Sequence, residues 1–468
     1  MRPLEVLVVA AGLIAIIPLA IVPAALGRRG RWLTALALLL MTGVQIVATG
    51  ARREMLPAYL AVLGLVMSVV WLAGARAWLR YGFALLGCAL LVGALAASLA
   101  FPVFALPVPT GPDAIGTVVL EGPGLQVWYP APAGSTGAHA PYTLARPPGG
   151  SLSGRFDRAR LVMTPAIVGA PVASGAHPLI LYLPGWGGTR ADNTAQALEL
   201  ASHGFIVAGM DDRYPEGELD FSSQAASART QRWANRKVVL QAALARRALD
   251  TLLQLDARDP EGRLTGRIDR GRIGIFGFSF GGASAAQAAG SDSRIRAAAN
   301  LDGWLFGQAA ENGVPQPFFV MSTPLASDEI PSDPALHYYA LFDKANDRKT
   351  FRGLRLHGGY FLVIDGTDHA NFVDWSLYSP EKWRVGAGGS IDSLRAERIV
   401  SAYLLEFFER VLNGAPAPLL VTRSENPGAN APMSSEDPAA HLQIWVRKTA
   451  PAPSRRSALP AARTALTR

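Results

Sequence analysis

Cysteine is nearly absent from this 468-residue sequence: the single thiol, Cys88, leaves no disulfide possible within the chain and makes cysteine usage silent about compartment. Charge is scarce as well. Asp, Glu, Lys and Arg make up 17% of the residues, against about 25% in an average soluble domain. The shortage is concentrated at the start. Val6 to Leu26, Trp32 to Gly50, Met55 to Ala75 and Tyr81 to Leu106 hold no charged residue, and each run is close to the roughly 20 apolar residues that cross a bilayer core. Four transmembrane helices are expected over residues 1–106. A cleaved signal peptide, with Val22-Pro23-Ala24-Ala25 as its small-residue site, would account for the first run and not for the three after it.

The arginines give an orientation. Arg28, Arg29 and Arg31 flank the first connection and Arg76 and Arg80 the third, whereas the N-terminus and second connection hold Arg2, Arg52 and Arg53. The positive-inside rule then places the first and third connections in the cytoplasm, and the N-terminus and everything beyond residue 106 outside. Also missing are internal repeats and any interleaving of basic with aromatic residues. The second absence argues against a nucleic-acid partner despite a net charge of +8. Part of that charge sits in an Ala/Pro-rich C-terminal extension, residues 421–468, which includes Arg447, Lys448, Arg455, Arg456, Arg463 and Arg468. It reads as a largely disordered tail.

Between these ends lies enough chain, residues 107–420, for one large α/β domain. After a strand over Gln126 to Tyr129 and a Gly/Ser/Pro-rich loop to about residue 154, strand-like and helical runs alternate. Strands are expected at Leu179 to Leu183, Phe205 to Gly209, Arg272 to Phe276, Ala297 to Leu301, Phe318 to Ser322 and Tyr360 to Ile364. Helices are expected near Asn193 to Ser202, Arg236 to Gln254, Gly281 to Ala289 and Ser393 to Leu412. Such alternation predicts a mostly parallel sheet with helices on both faces.

Within that pattern, Gly277-Phe278-Ser279-Phe280-Gly281 joins a strand to a helix. It fits the G-x-S-x-G elbow, a strained turn that lifts a serine hydroxyl above the sheet. A serine hydroxyl is a weak nucleophile and needs a base, so a histidine is sought after the last strand. His369, in Asp365-Gly-Thr-Asp-His369, is there. His357 precedes that strand and is a weaker candidate, and His203 reads as the end of a helix. An oxyanion hole needs backbone N–H groups on a glycine-rich turn, and Leu183-Pro-Gly-Trp-Gly-Gly188 offers one. The expected donors are the amides of Trp186 and Phe280. Phe278 and Trp304, with Trp186 and Phe280, are candidate apolar walls of an ester pocket, if they are not plain core.

In this order the pieces resemble the plasma-type (type II) platelet-activating factor acetylhydrolase family of α/β-hydrolases, over roughly residues 107–413. Gly111-Pro-Asp-Ala-Ile-Gly116 with Leu125-Gln-Val-Trp-Tyr-Pro130 is similar to the family's opening strand pair. Leu200 to Ala208 is similar to the segment after its oxyanion loop, Gly277 to Gly282 to its G-H-S-F-G-G elbow, and Asp368-His369-Ala-Asn-Phe372 to its histidine loop. Leu301-Asp302-Gly303-Trp304 resembles its acid-bearing turn. Phe278 stands where the family has histidine, and Pro184 replaces the histidine of its oxyanion turn.

The resemblance implies an α/β-hydrolase fold and a serine esterase that acts, without a metal or cofactor, on short or oxidised acyl groups of glycerophospholipids. It implies Ser279, His369 and Asp302 as nucleophile, base and acid. Many α/β-hydrolases carry the acid one strand later, where Asp328, Glu329 and Asp333 are rivals to Asp302. A general carboxylesterase or polyester hydrolase is the nearest alternative activity. A membrane-anchored binding protein with an inert hydrolase domain is the alternative of another class.

Overall fold

The structure is a computed structural model that describes residues 2–21, 26–71, 75–122, 124–142, 158–214, 216–325, 329–378, 389–420 and 439–445. Four apolar helices come first: α1 (Pro3–Ile16, continued by a wider turn to Ile21), α2 (Arg28–Thr49), α3 (Leu56–Trp71) and α4 (Ala77–Ala100). Three are long and apolar enough to cross a membrane: Pro3–Ile21 with 19 residues, Arg28–Thr49 with 22 and Ala77–Ala100 with 24. The expectation of four such spans is corrected at α3. Among the described residues it holds 16, rising about 24 Å at roughly 1.5 Å per residue against a hydrocarbon core of about 30 Å, and residues 72–74 beyond it lie outside the described residues.

Val8, Leu19, Leu65 and Leu91 fill the centre of this bundle, while Ile14, Val47 and Leu85 point outward at 71%, 88% and 73% exposure. An apolar outer surface of this kind suits lipid tails and is disfavoured in water. At one end Glu5 pairs with both Arg2 and Arg52 at 2.8 Å, and buried Arg52 also donates to the Phe101 carbonyl at 2.9 Å. The buried charges are thus paired and hydrogen-bonded, the condition under which burial is tolerated. From this end the chain leaves α4 for the second region.

That region is built on one mixed sheet of 11 strands, ordered β11-β10-β9-β8-β7-β5-β6-β2-β1-β4-β3. The strands are β1 (Ala114–Leu120), β2 (Leu125–Ala131), β3 (His139–Pro141), β4 (Met163–Val168), β5 (His177–Leu183), β6 (Ile206–Met210), β7 (Ile268–Phe278), β8 (Ile295–Leu301), β9 (Phe318–Ser322), β10 (Gly359–Ile364) and β11 (Ala440–Trp445). From β6 through β5, β7, β8 and β9 to β10 every pairing is parallel. Antiparallel strands β2 and β11 flank that block.

Alternate residues feed the two faces, as a pleated strand requires. Ile180, Tyr182, Phe276 and Phe278 pack on one side with α5 (Thr194–Ser202) and α10 (Ser393–Phe408). Leu179, Leu181, Ile273 and Ile275 pack on the other with α6 (Gln224–Ala257) and α7 (Phe280–Ser291). Two short-range features alter the sequence expectations. Helix α6 begins at Gln224, about three turns before its apolar pattern, because Ser223 accepts the amide of Ala226 at 3.1 Å and caps it. The segment 440–445, placed by the sequence reading in a loose tail, adds an edge strand beside β10; residues 446–468, with the tail arginines, lie outside the described residues. Most of the Gly/Ser/Pro-rich loop, residues 143–157, lies outside them too.

Candidate active site

Parallel strands end together, so the loops after β5, β7, β8, β9 and β10 gather at one edge of the sheet. The loop after β7 is the G-x-S-x-G turn. Ser279 has φ 55 and ψ −121, and Asp302, after β8, has φ 53; among the described residues these are the two non-glycine residues with positive φ. Strain of this kind costs about 1 to 3 kcal/mol per residue and persists where the surroundings over-determine it. The surroundings are visible. Ser279 donates its amide to the Leu301 carbonyl at 2.8 Å, and Asp302 donates its own to Met321 at 2.8 Å. Asn300, fully buried, takes the Gly303 amide on Oδ1 at 2.9 Å and gives Nδ2 to the Gly303 carbonyl at 2.7 Å, closing the turn around Asp302.

Two glycines make the approach possible. A Cβ on Gly281 would come within 2.1 Å of the Leu183 carbonyl oxygen, and one on Gly303 within 2.1 Å of the Ser279 carbonyl oxygen. The Ser279 turn is thus pressed between the end of β5 and the Asp302 turn with no room for a side chain on either side.

His369 arrives from the loop after β10, at the head of a short turn over His369–Phe372. Asp368 Oδ1 accepts the Ala370 amide at 3.1 Å, Asn371 Oδ1 accepts the Asp368 amide at 2.8 Å, and Asn193 donates to the Phe372 carbonyl at 2.8 Å. So held, the imidazole accepts from Ser279 Oγ at Nε2, 2.9 Å, and donates from Nδ1 to Asp302 Oδ2 at 2.6 Å. A carboxylate only accepts, which fixes the neutral tautomer with its proton on Nδ1. The second oxygen, Asp302 Oδ1, accepts Thr323 N–H at 2.9 Å and Thr323 Oγ1 at 3.2 Å. Neither the sequence pattern nor the resemblance pointed to Asn300 or Thr323. Their signal, polar residues just before and just after the strand tips, is too common to single them out.

The remaining candidates separate. Of the rival acids, Glu329 and Asp333 are exposed and do not line the pocket, and Asp328 lies outside the described residues. His357 ends helix α9 (Pro334–His357) and donates Nε2 to the Asn312 carbonyl at 2.7 Å, away from the serine. His203 does end α5, with its side chain on Glu199 at 3.3 Å and Thr110 at 3.0 Å, not on helix carbonyls. Phe280 is the first residue of α7, where amides lack intrahelical acceptors. Trp304 lines the pocket; Phe278 does not, which corrects its expected place as a wall. The strand alternation that turns Phe276 to the α10 face turns Phe278 the same way, and it packs 4.6 Å from the His369 ring, 2% exposed.

The pocket in front of Ser279 holds about 610 Å³, within the range of small-molecule sites. Trp304, Phe306, Tyr339 and Phe361 give it apolar wall, and Asp343 and Asp347 on α9 give it acid. Burial, with the charges of Asp343 and Asp302, pushes the Asp347 carboxyl up to about 6. Burial also raises Asp343, opposed by the Trp304 indole N–H it accepts at 2.7 Å. Among the described residues no group of three or more His, Cys, Asp or Glu is placed to hold a metal ion. Chemically, a hydroxyl, an imidazole whose Nε2 lone pair faces it and a fixed carboxylate in line suit nucleophilic attack on a carbonyl.

Comparison with known proteins places this geometry among relatives. The solved ferulic acid esterase from Streptomyces cinnamoneus superposes with a TM-score of 0.52 over 73% of this chain and 99% of its own, at 24% identity, a likeness of fold. The platelet-activating factor acetylhydrolase of Cavia porcellus is 28% identical over 283 residues, covering 54% of this chain and 61% of that protein. That of Bos taurus is 27% identical over 282 residues, covering 53% and 60%. The match therefore spans about three fifths of each relative's length. The sequence profile of platelet-activating factor acetylhydrolase, isoform II, matches residues 159–415, more than half of the chain and all three of Ser279, Asp302 and His369. The chain belongs to the platelet-activating factor acetylhydrolase isoform II family.

Proposed function

We propose that this protein is a membrane-anchored serine esterase acting on lipid esters with short acyl groups. The observation that carries the reading is the line of hydrogen bonds from Ser279 through His369 to Asp302, at 2.9 and 2.6 Å. Ser279 Oγ attacks the ester carbonyl while His369 Nε2 takes its proton, and Asp302 stabilises the imidazolium. The carbonyl oxygen, now an oxyanion, accepts from the amides of Trp186 and Phe280. The tetrahedral adduct collapses, the alcohol leaves with the proton from Nε2, and water hydrolyses the acyl-enzyme by the same route. The short-acyl preference rests on the family relatives, which are acetylhydrolases, and on a pocket of about 610 Å³ with aromatic walls.

The detergent-solubilised full chain should hydrolyse p-nitrophenyl acetate and butyrate, and short sn-2 acyl phosphatidylcholine beside them, with kcat/KM falling at least tenfold toward laurate. Equal use of laurate and long polyester oligomers would favour the general esterase. No turnover of any ester by folded protein removes the reading.

The same proposal places the catalytic region outside the cytoplasm, on the arginine asymmetry of the helix connections, which requires α3 to cross with the other three helices; three crossings would put that region in the cytoplasm. Alkaline phosphatase fused at the C-terminus should be active and green fluorescent protein dark there. The reverse pattern puts the esterase in the cytoplasm.

A further inference from the structure

Beneath the loop that follows β5 lies a buried ion pair that the reaction scheme does not use. Lys237 Nζ, on α6, is 2.7 Å from Asp212 Oδ2, with the two side chains 3% and 0% exposed. The ammonium also donates to the Tyr214 carbonyl. The same Asp212 Oδ2 accepts the amide of Gly187 at 2.9 Å, and the Asp212 amide donates to the Gly188 carbonyl at 3.0 Å. The chain just after Trp186 is therefore clipped to Asp212 through two consecutive residues, at a glycine with φ 67.

Above the ammonium are aromatic rings. Lys237 Nζ is 5.5 Å from the centroid of Phe280 and 5.8 Å from that of Trp233, within reach of a cation–π attraction. Trp233 touches Trp186 on one side, with centroids 5.5 Å apart, and Phe280 on the other at 5.3 Å. Trp186 and Phe280 bear the two amides expected to hold the oxyanion. They come from separate elements, the loop after β5 and the first turn of α7, which the pairing of β5 with β7 brings side by side. Lys237 is common to both supports: it charges the clip on the Trp186 side and underlies the ring on the Phe280 side.

We propose that Lys237, acting through Asp212 and Trp233, is the positioning residue of the oxyanion hole, setting the distance between the Trp186 and Phe280 amides. It touches no substrate. The proposal rests on the serine-esterase reading, and its effect is on transition-state stabilisation: amides moved by a fraction of an ångström still admit substrate but grip the oxyanion less well. Loss of one oxyanion donor costs about 10² to 10³ in kcat, and displacement of both should approach the lower figure.

The test compares wild type, Lys237→Met and the double variant Asp212→Asn, Lys237→Met in the full chain, with p-nitrophenyl butyrate as substrate and an aliphatic trifluoromethyl ketone as oxyanion-forming inhibitor. Lys237→Met should lower kcat by about 10² with KM within a factor of about three, and weaken the ketone in parallel with kcat/KM. The double variant removes the stranded carboxylate while its side-chain amide oxygen still accepts from Gly187, and should regain about tenfold of the loss. Folded Lys237→Met with wild-type kcat and ketone affinity overturns the proposal. So does a rise in KM alone. If Lys237→Met does not fold, the double variant is judged by the same comparison, kcat and ketone affinity falling together against neither moving. Unfolding of both would show that the pair holds the fold and not the oxyanion hole. An inactive wild type would instead remove the serine-esterase reading, which separates the two failures.

Discussion

Ser279→Ala is expected to lower kcat on a soluble ester by about 10⁶, the scale on which deleting the nucleophile of a serine triad abolishes turnover. The other parts stay in place. Alanine carries no more Cβ bulk than serine at φ 55, so the strained turn gains no new clash. The hydroxyl's partner, His369 Nε2, belongs to a side chain 52% exposed, so its lost hydrogen bond is replaced by water. Melting should shift by no more than about 2 °C, as for a substitution worth under about 0.5 kcal/mol in a domain of this size. A fluorophosphonate probe, which captures an activated serine, should label wild type and leave Ser279→Ala unmarked. Equal labelling of the two proteins would take serine catalysis out of the account.

The elbow was readable because its chemistry leaves little choice of residue. Gly281 has no room for a Cβ beside Leu183, and a serine in a turn between an apolar strand and a small-residue helix recurs for one main reason. The central strands were readable for a simpler cause: buried on both faces, they are nearly unbroken apolar runs. Helix α9 was not. Its inner residues Tyr339, Asp343, Asn346, Asp347 and Thr350 follow helical spacing, but they line a pocket and not a core, so aromatic, acid and amide groups interrupt the apolar stripe.

Edge strand β11 was hidden differently. Ala440-His-Leu-Gln-Ile-Trp445 alternates apolar with polar residues, yet it is only half buried and follows residues 421–438, whose composition reads as loose chain. At the other end of the molecule, length alone could not tell α3 from its neighbours. Met55 to Ala75 is uncharged throughout, and of that run the described helix holds Leu56–Trp71, with Met55 in the turn before it and residues 72–74 outside the described residues. The choice of acid was open for a geometric reason. Asp302 and Asp333 both follow strands in the sequence, and what separates them is a left-handed backbone held by Asn300 and Gly303, which no spacing rule encodes.

That clamp makes Asp302→Asn the most discriminating substitution, with an expected loss of about 10⁴ in kcat/KM. Asparagine is among the residues that tolerate positive φ, so the turn should survive. Its orientation is then dictated by Thr323. The two donors of Thr323, the amide at 2.9 Å and Oγ1 at 3.2 Å, already occupy the Oδ1 position, and they will hold the asparagine oxygen there. The Nδ2 amide therefore faces His369 Nδ1, where the carboxylate now accepts at 2.6 Å. Two donors cannot share that contact. The imidazole responds by placing its proton on Nε2, the nitrogen that must accept from Ser279, and the base is blocked at neutral pH. KM should change little, since Asp302 acts through the histidine. Glu329→Gln and Asp333→Asn, both exposed, should stay within about twofold of wild type, as surface changes do. Each variant is to be assayed for kcat and KM on p-nitrophenyl butyrate, with its melting temperature measured alongside. If Asp302→Asn melts like wild type and turns over ester at the wild-type rate while Asp333→Asn is crippled, the acid lies after β9 and the contact between Asp302 and His369 has no part in the reaction.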